Sequence, residues 1–240
     1  MQVDVIASVN EARSIELANR TVIVIDVLRA TSTIITALAH GASGILPVET
    51  VQQAKQAARD GDITGGERNC KKIPGFDAGN SPFEYIGENV YGKRVVLTTS
   101  NGTRAIHKAA KADVILAGAF LNASECARIA YQLRKDIALL CAGMQDEFAF
   151  EDGLCAGLIV AELFRLGSQE QEMRTNDLGS ILVSAYRHHA GDITSALLGC
   201  SGGMRLAKLG YAKDVEYCAG IDTVSVVPVW VQQMMLPFAT

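Results

Sequence analysis

The chain has 240 residues, 49% of them hydrophobic, with a mean hydropathy of +0.18 and a formal net charge of −4 at neutral pH. That content fills a core and hints at a buried subunit interface, while the acid excess and the lack of a basic tract argue against a nucleic-acid partner. Six scattered cysteines lack any Cys-x-x-Cys or zinc-finger spacing, residues 1–7 lack a basic segment and apolar leader, and no window approaches 18 apolar residues. Together they point to a soluble, cytoplasmic protein with reduced thiols and no membrane partner.

Residues 1–7 read as a short strand. Thr21, Val22, Ile23, Val24 and Ile25 form a β-branched run of the kind that makes a buried parallel strand, and it stops at Asp26. Arg29, Thr31, Ser32 and Thr33 follow, leading into a helix over 34–39. A carboxylate at the carboxyl end of a strand, followed by donors at a helix N-terminus, stands where an open α/β sheet holds ligands. The carboxylate suits a hard cation such as Mg²⁺, and the donors and Arg29 suit an anion. The plainer alternative is that Asp26 only caps the helix.

Strand 44–48 comes next, then a helix over 51–59 capped by Thr50, then a strand and turn over 63–68 carrying Gly66, Glu67 and Arg68. The polar loop 69–82, rich in Gly, Pro and Asn and starting near Lys71 and Lys72, has the length of a loop that closes over a substrate or covers an edge. Strand 94–98 ends in Thr99, Ser100, Asn101, Gly102 and Thr103, ahead of a helix over 104–111. Strand 113–116 precedes a helix running to residue 133, with Asn122 and Glu125 spaced as a capping box. Strand 137–141 precedes a long apolar helix over 152–166, introduced by Glu151 and Asp152. Helices over 177–189 and 193–198 and a late strand over 223–231, near an edge because of Pro228, complete the chain.

Strand–helix alternation predicts an α/β fold: three layers, a mostly parallel sheet with helices on both faces, and one compact domain over 1–240. A division near residue 120 into two related α/β subdomains is compatible with it.

Three strand ends carry chemistry: Asp26 to Thr33, Gly66-Glu67-Arg68, and Ser100 to Arg104. In an open α/β sheet such ends share an edge. The Ser-Asn-Gly-Thr turn can make an anion nest or be an ordinary strand-to-helix turn. Glu67 beside Arg68 is a metal ligand or a solvated surface pair. Glu151 and Asp152 either meet the helix dipole or supply a further ligand or base. Several phosphatase chemistries are excluded by spacing. Leu28 stands where a haloacid-dehalogenase site needs its second aspartate. Arg205 is one residue too close to Cys200 for a cysteine phosphatase, and Arg187-His188 is followed by His189 rather than glycine. A P-loop is absent.

With these residues in view, the chain resembles the 2-phosphosulfolactate phosphatase family. The matching pieces are Asp26-Val27-Leu28-Arg29-Ala30-Thr31-Ser32, Gly66-Glu67-Arg68, Gly79-Asn80-Ser81-Pro82, Thr99-Ser100-Asn101-Gly102-Thr103, Cys141-Ala142-Gly143 and Glu151-Asp152-Gly153-Leu154-Cys155-Ala156-Gly157. The resemblance implies a Mg²⁺-dependent phosphatase that converts 2-phospho-3-sulfolactate to sulfolactate and phosphate, a step of coenzyme M biosynthesis in methanogens. On that reading Asp26 and Glu67 ligate Mg²⁺, and Glu151 or Asp152 is a further ligand or the general base. Arg29, Ser32, Ser100, Asn101, Gly102 and Thr103 hold the phosphate, and Arg68 and Arg104 pair with carboxylate and sulfonate. Either Asp26 attacks phosphorus to form a phosphoaspartate or an activated water attacks directly, and water is favoured because metal sites commonly supply a low-pKa nucleophile. The competing readings are a phosphatase acting on another small phosphorylated acid and a non-catalytic sensor of an anionic metabolite. The apolar stretch with Trp230, Met234 and Met235 raises the expectation of a homo-oligomer.

Overall fold

A computed structural model describes residues 1–167 and 172–239. Its strands are β1 (Gln2–Ile6), β2 (Thr21–Ile25), β3 (Gly44–Pro47), β4 (Ile63–Arg68), β5 (Lys71–Lys72), β6 (Arg94–Thr98), β7 (Val114–Gly118), β8 (Ile137–Cys141), β9 (Arg174–Thr175), β10 (Pro228–Val231) and β11 (Met234–Pro237). Its helices are α1 (Ala30–Ala39), α2 (Val51–Ala57), α3 (Gly102–Lys108), α4 (Ala123–Gln132), α5 (Phe150–Gly167), α6 (Asp177–His189), α7 (Ile193–Gly199), α8 (Ser201–Lys208) and α9 (Ala212–Cys218). The fold is α/β, as the alternation predicts. Among the described residues no helix is long and apolar enough to cross a membrane.

The strands form one sheet in the order β5-β4-β6-β3-β11-β10-β7-β2-β8-β1-β9. β2 is central and fully buried, paired in parallel with β7 and β8 in matched register up to Ile25, Gly118 and Cys141. Alternation divides its side chains between two cores. Ile23 and Ile25 pack with residues of α4, α5 and α6, while Val22 and Val24 pack with residues of α1 and α3. Helices thus cover both faces.

The C-terminal hairpin decides how the halves are joined. β10 and β11 pair antiparallel with each other, β10 antiparallel with β7, and β11 antiparallel with β3. Followed through these antiparallel steps, β3, β6 and β4 run opposite to β7, β2, β8 and β1. In a flat sheet the carboxyl ends of the two groups would lie on opposite edges. They meet because the sheet twists and wraps around α1 and α3. Ile34, Ala37 and Leu38 of α1, with Ala105 and Ile106 of α3, share one core with Val22 and Val24 on one side and Val95 and Leu97 on the other.

Four local departures from the sequence reading have physical causes. α1 starts at Ala30, so Thr31, Ser32 and Thr33 lie inside its first turn rather than ahead of it. Asn122 stands at the head of α4 without capping it, because its buried carboxamide takes the Ala119 N–H and donates to the Ala117 and Val226 carbonyls. Glu125 pairs with Arg128 instead. The late strand begins only at Pro228, since the preceding segment is pinned to the turn Phe120–Asn122 through the Asp222 and Val224 N–H groups. Finally, α8 and α9 follow where the sequence reading placed no element. Gly202 and Gly203 are required there by close packing: a side chain at Gly203 would strike the Leu197 carbonyl, and one at Gly202 would strike Glu151 Oε1.

The segment expected to form a subunit interface is largely used within the chain. Met235 is fully buried, and Trp230 packs edge-on against His107.

Candidate active site

One cavity opens where the ends of β2, β4, β6 and β8 converge with the first turns of α5 and α8. Asp26, Arg29, Glu67, Asn80, Ser100, Asn101, Glu151, Asp152 and Arg205 are among the residues that line it. Asp26, Glu67, Glu151 and Asp152 are each less than a tenth exposed.

Asp26 is held by the turn that links β2 to α1. Its Oδ1 accepts the Ala30 N–H at 3.0 Å, and the Thr31 hydroxyl donates to its carbonyl oxygen at 2.9 Å. Both are local consequences of a short polar residue before a helix. Its Oδ2 faces the turn into α3, where a side chain at Gly102 would come within 2.6 Å of it. Glycine at position 102 therefore lets that turn close on Asp26. Burial raises the Asp26 carboxyl to about 7, and the nearby Glu67 and Glu151 charges add to the shift against the Ala30 N–H and Arg29.

Asp152 joins two strand ends. Its Oδ1 accepts the Val27 N–H at 2.8 Å and its Oδ2 accepts the Gly143 N–H at 3.0 Å, tying the segments after β2 and β8 to the start of α5. Burial, then the Asp26 and Glu151 charges, push its carboxyl well above the ordinary aspartate value. Glu151 accepts the Cys200 thiol at Oε2, 3.2 Å away, and is likewise raised, mainly by burial. Glu67 bridges to the third strand end: its Oε1 accepts the Ser100 N–H at 2.8 Å and its Oε2 the Cys70 N–H at 2.7 Å.

The arginines divide sharply. Arg29 is buried, donates to Asp214 Oδ2 at 2.6 Å and to the Cys70 carbonyl at 3.2 Å, and lies over the Tyr211 ring. Its charge is met inside the protein. Arg68, which the sequence reading gave to the substrate, donates instead to the Glu67 and Glu49 carbonyls and the Thr98 hydroxyl. Arg104 pairs with Asp146 at 2.5 Å beside a separate surface depression. Neither lines the cavity. Arg205 does, and among the described residues its guanidinium has no hydrogen bond or ion pair.

The Ser32 and Thr103 hydroxyls expected to hold phosphate are spent nearby. Ser32 donates to the Val27 carbonyl at 2.8 Å and Thr33 to the Asn80 carbonyl at 2.9 Å. In the turn before α3, Thr103 donates to the Thr99 carbonyl and receives the Thr99 N–H, while Ser100 gives its N–H to Glu67. Ser100 and Asn101 line the cavity and remain the part of that turn best placed to meet a ligand, whereas Gly102 is buried against Ala30 and Asp26. Loop 69–82 is tied down rather than loose. Asp77 accepts the Thr64 N–H and hydroxyl, and Glu84 accepts the Gly79 and Ser81 N–H groups.

The sequence reading missed the roles of Asn80, Asp214 and Arg205. Asn80 is 4% exposed, lines the cavity, and its Oδ1 has no partner. The Gly79-Asn80-Ser81-Pro82 run was its signal. Asp214 lies on the unpredicted α9 and Arg205 on the unpredicted α8, so neither had a local pattern to announce it.

The donor set suits a hard cation. Carboxylate oxygens and a spare carboxamide oxygen are Mg²⁺ ligands by type, and the mutual repulsion of the carboxylates favours a positive charge among them. Among the described residues no three His, Cys, Asp or Glu side chains form a ready ligand cluster. Mg²⁺ does not require one, because it commonly takes one or two carboxylates and completes its shell with water and substrate phosphate.

The family model described as 2-phosphosulpholactate phosphatase matches residues 6–233. A probable 2-phosphosulfolactate phosphatase of Symbiobacterium thermophilum is 41% identical over 221 residues, covering 90% of this chain and 94% of that protein. Its counterpart in Thermotoga maritima is 42% identical over 221 residues, covering 90% and 92%. That of Clostridium tetani is 36% identical over 231 residues, covering 95% and 97%.

Proposed function

The chain belongs to the 2-phosphosulpholactate phosphatase family of phosphoric monoester hydrolases, and from that premise we propose that it hydrolyses 2-phospho-3-sulfolactate to sulfolactate and phosphate with the help of Mg²⁺. The observation that carries the reading is charge. Four buried carboxylates line the cavity against two guanidinium groups, one of them already neutralised by Asp214. An organophosphate with three anionic groups would be repelled from such a cavity unless a cation intervened.

Asp26 and Glu67 would hold the ion. Bound there, it would polarise the phosphoryl oxygens and offset the charge that develops as the ester bond breaks. Asp152 keeps the Val27 and Gly143 amides in place, so the segments that present Asp26 cannot separate. Both oxygens of Asp152 already accept backbone N–H groups, which favours Glu151 as the base that takes a proton from the attacking water. The water oxygen bonds to phosphorus, the ester P–O bond breaks, and the proton passes to the departing alkoxide. Ser100 and Asn101 would face the phosphoryl group from the α3 side.

The test is phosphate release from 2-phosphosulfolactate, with Mg²⁺ and with EDTA, by wild type and Asp26→Asn. Metal-dependent turnover lost in the variant supports the reading. Release from other small phosphoesters alone replaces the substrate and keeps the chemistry. No release by folded, Mg²⁺-supplied protein overturns the reading in favour of a binding protein.

A further inference from the structure

We propose that Arg205 binds the anionic group at the non-phosphoryl end of the substrate and thereby selects phosphoesters that carry a sulfonate or carboxylate. The inference rests on the phosphatase reading above and adds a residue that the sequence reading placed in no site.

Its first support is elimination among cations. Arg29 is committed to Asp214, Arg68 to two backbone carbonyls and a threonine hydroxyl, and Arg104 to Asp146 outside the cavity. Arg205 is half-buried and reaches the cavity with all its donors uncommitted among the described residues. A guanidinium removed in part from water with no acceptor is unfavourable alone and becomes favourable when an oxyanion meets its fork.

Its second support is position. Arg205 and Asn69 also line a second depression, which adjoins the reaction cavity and contains Lys71, Lys208, Ser201, Met204 and Leu209. Three cations and no carboxylate line that depression, the reverse of the inner cavity. A phosphoryl group held with a cation between Asp26 and Glu67, beside Glu151, leaves the sulfonate and carboxylate a few bonds away. At least one of these anions must turn from the carboxylates toward positive charge. Arg205 stands at the boundary where it can do so, and Lys71 and Lys208 extend the positive field outward, where it raises the local concentration of anions.

Its third support is how the residue is presented. The glycines at 202 and 203 let α8 press against Glu151 and the end of α7, which brings Arg205, one helical turn on, to the cavity wall. The arrangement puts the base and the anion-binding arginine on contacting elements.

The experiment is isothermal titration of the Mg²⁺-supplied protein with two probes, 3-sulfopropanoate and inorganic phosphate, for wild type, Arg205→Gln and Arg205→Lys. Wild type should bind both. Arg205→Gln should weaken 3-sulfopropanoate by about tenfold or more and phosphate by clearly less, as loss of a charge-assisted pair at one subsite requires. Arg205→Lys should recover part of the sulfonate affinity, since it restores charge without the planar fork. Equal weakening of both probes, no change in either, or a wild type that does not bind 3-sulfopropanoate would each overturn the assignment. So would unfolding of Arg205→Gln by circular dichroism, because a side chain without protein partners should be replaceable. Phosphate release by wild type is assayed separately. If it is present while the probes weaken equally, only Arg205 loses its role, and if it is absent it is the phosphatase reading that fails.

Discussion

Arg29 Nη1 lies 2.6 Å from Asp214 Oδ2, with both side chains 5% or less exposed. The pair joins the segment after β2 to α9 across most of the sequence, and Ser81 completes it by donating to the other Asp214 oxygen at 3.0 Å. Removing one partner leaves a buried uncompensated charge, so Asp214→Ala should lose about 3–5 kcal/mol in urea denaturation. The double variant Arg29→Met/Asp214→Leu should lose less than Asp214→Ala alone. If the two were equally unstable, the pair would not be acting as a unit.

The Asp26 carboxyl titrates at about 7 in the folded chain against an ordinary 3.8, chiefly through burial. Between those values the folded state keeps a proton that the unfolded chain has released. Its contribution is therefore full at low pH and is lost as pH rises through 7. Glu151 and Asp152 are shifted in the same direction, whereas Asp62, Asp77 and Glu125 are shifted down and act below the ordinary carboxylate range. In EDTA the melting temperature should fall from about pH 5 to about pH 8, and Asp26→Asn should flatten that fall. Mg²⁺ should stabilise wild type more at pH 8 than at pH 5. A melting temperature independent of pH and of Mg²⁺ would remove both the charge argument and the cation.

Asp152 accepts two N–H groups with two oxygens. Asparagine keeps the shape but turns an NH₂ toward one of those donors. Asp152→Asn should cost about 1–3 kcal/mol of stability, the range for an unsatisfied buried donor. The Val27 and Gly143 amides should then lose hydrogen-exchange protection together. Loss of activity with full protection at both amides would instead mark Asp152 as a group acting on the substrate.

Gly203 abuts the Leu197 carbonyl, a backbone atom that cannot swing away. Gly203→Ala should destabilise by about 1–3 kcal/mol, as overpacking does. It should also displace α8, raising KM through Arg205 more than it lowers kcat. An unchanged melting curve would mean that α7 and α8 are less closely packed than this geometry requires.

Much of the fold was legible because its signals are local. The strands Thr21–Ile25, Ile63–Arg68, Arg94–Thr98 and Ile137–Cys141, and the helix Asp177–His189, fall at the boundaries that periodicity and composition indicate. α8 escaped because its glycines answer to a contact with Glu151 and Leu197, and a distant contact leaves no periodic trace. Asn122 shows the converse. Its spacing to Glu125 is that of a capping box, yet burial against Val226 redirects its carboxamide.

The sequence by itself determined an α/β chain whose strand ends carry Asp26, Glu67 and Ser100 and whose long apolar helix opens with Asp152, because strand and helix periods and turn chemistry act over a few residues. Only the tertiary structure decided that these ends meet. The C-terminal hairpin reverses one half of the sheet, and twist around α1 and α3 brings the reversed half back to Asp26. Only the tertiary structure decided which cations are available. Arg29, Arg68 and Arg104 find partners far along the chain or across turns, and Arg205 reaches the cavity without one. The physical reason is that a charged side chain's role depends on what has already neutralised it, and those partners are set by packing between distant elements rather than by residue order.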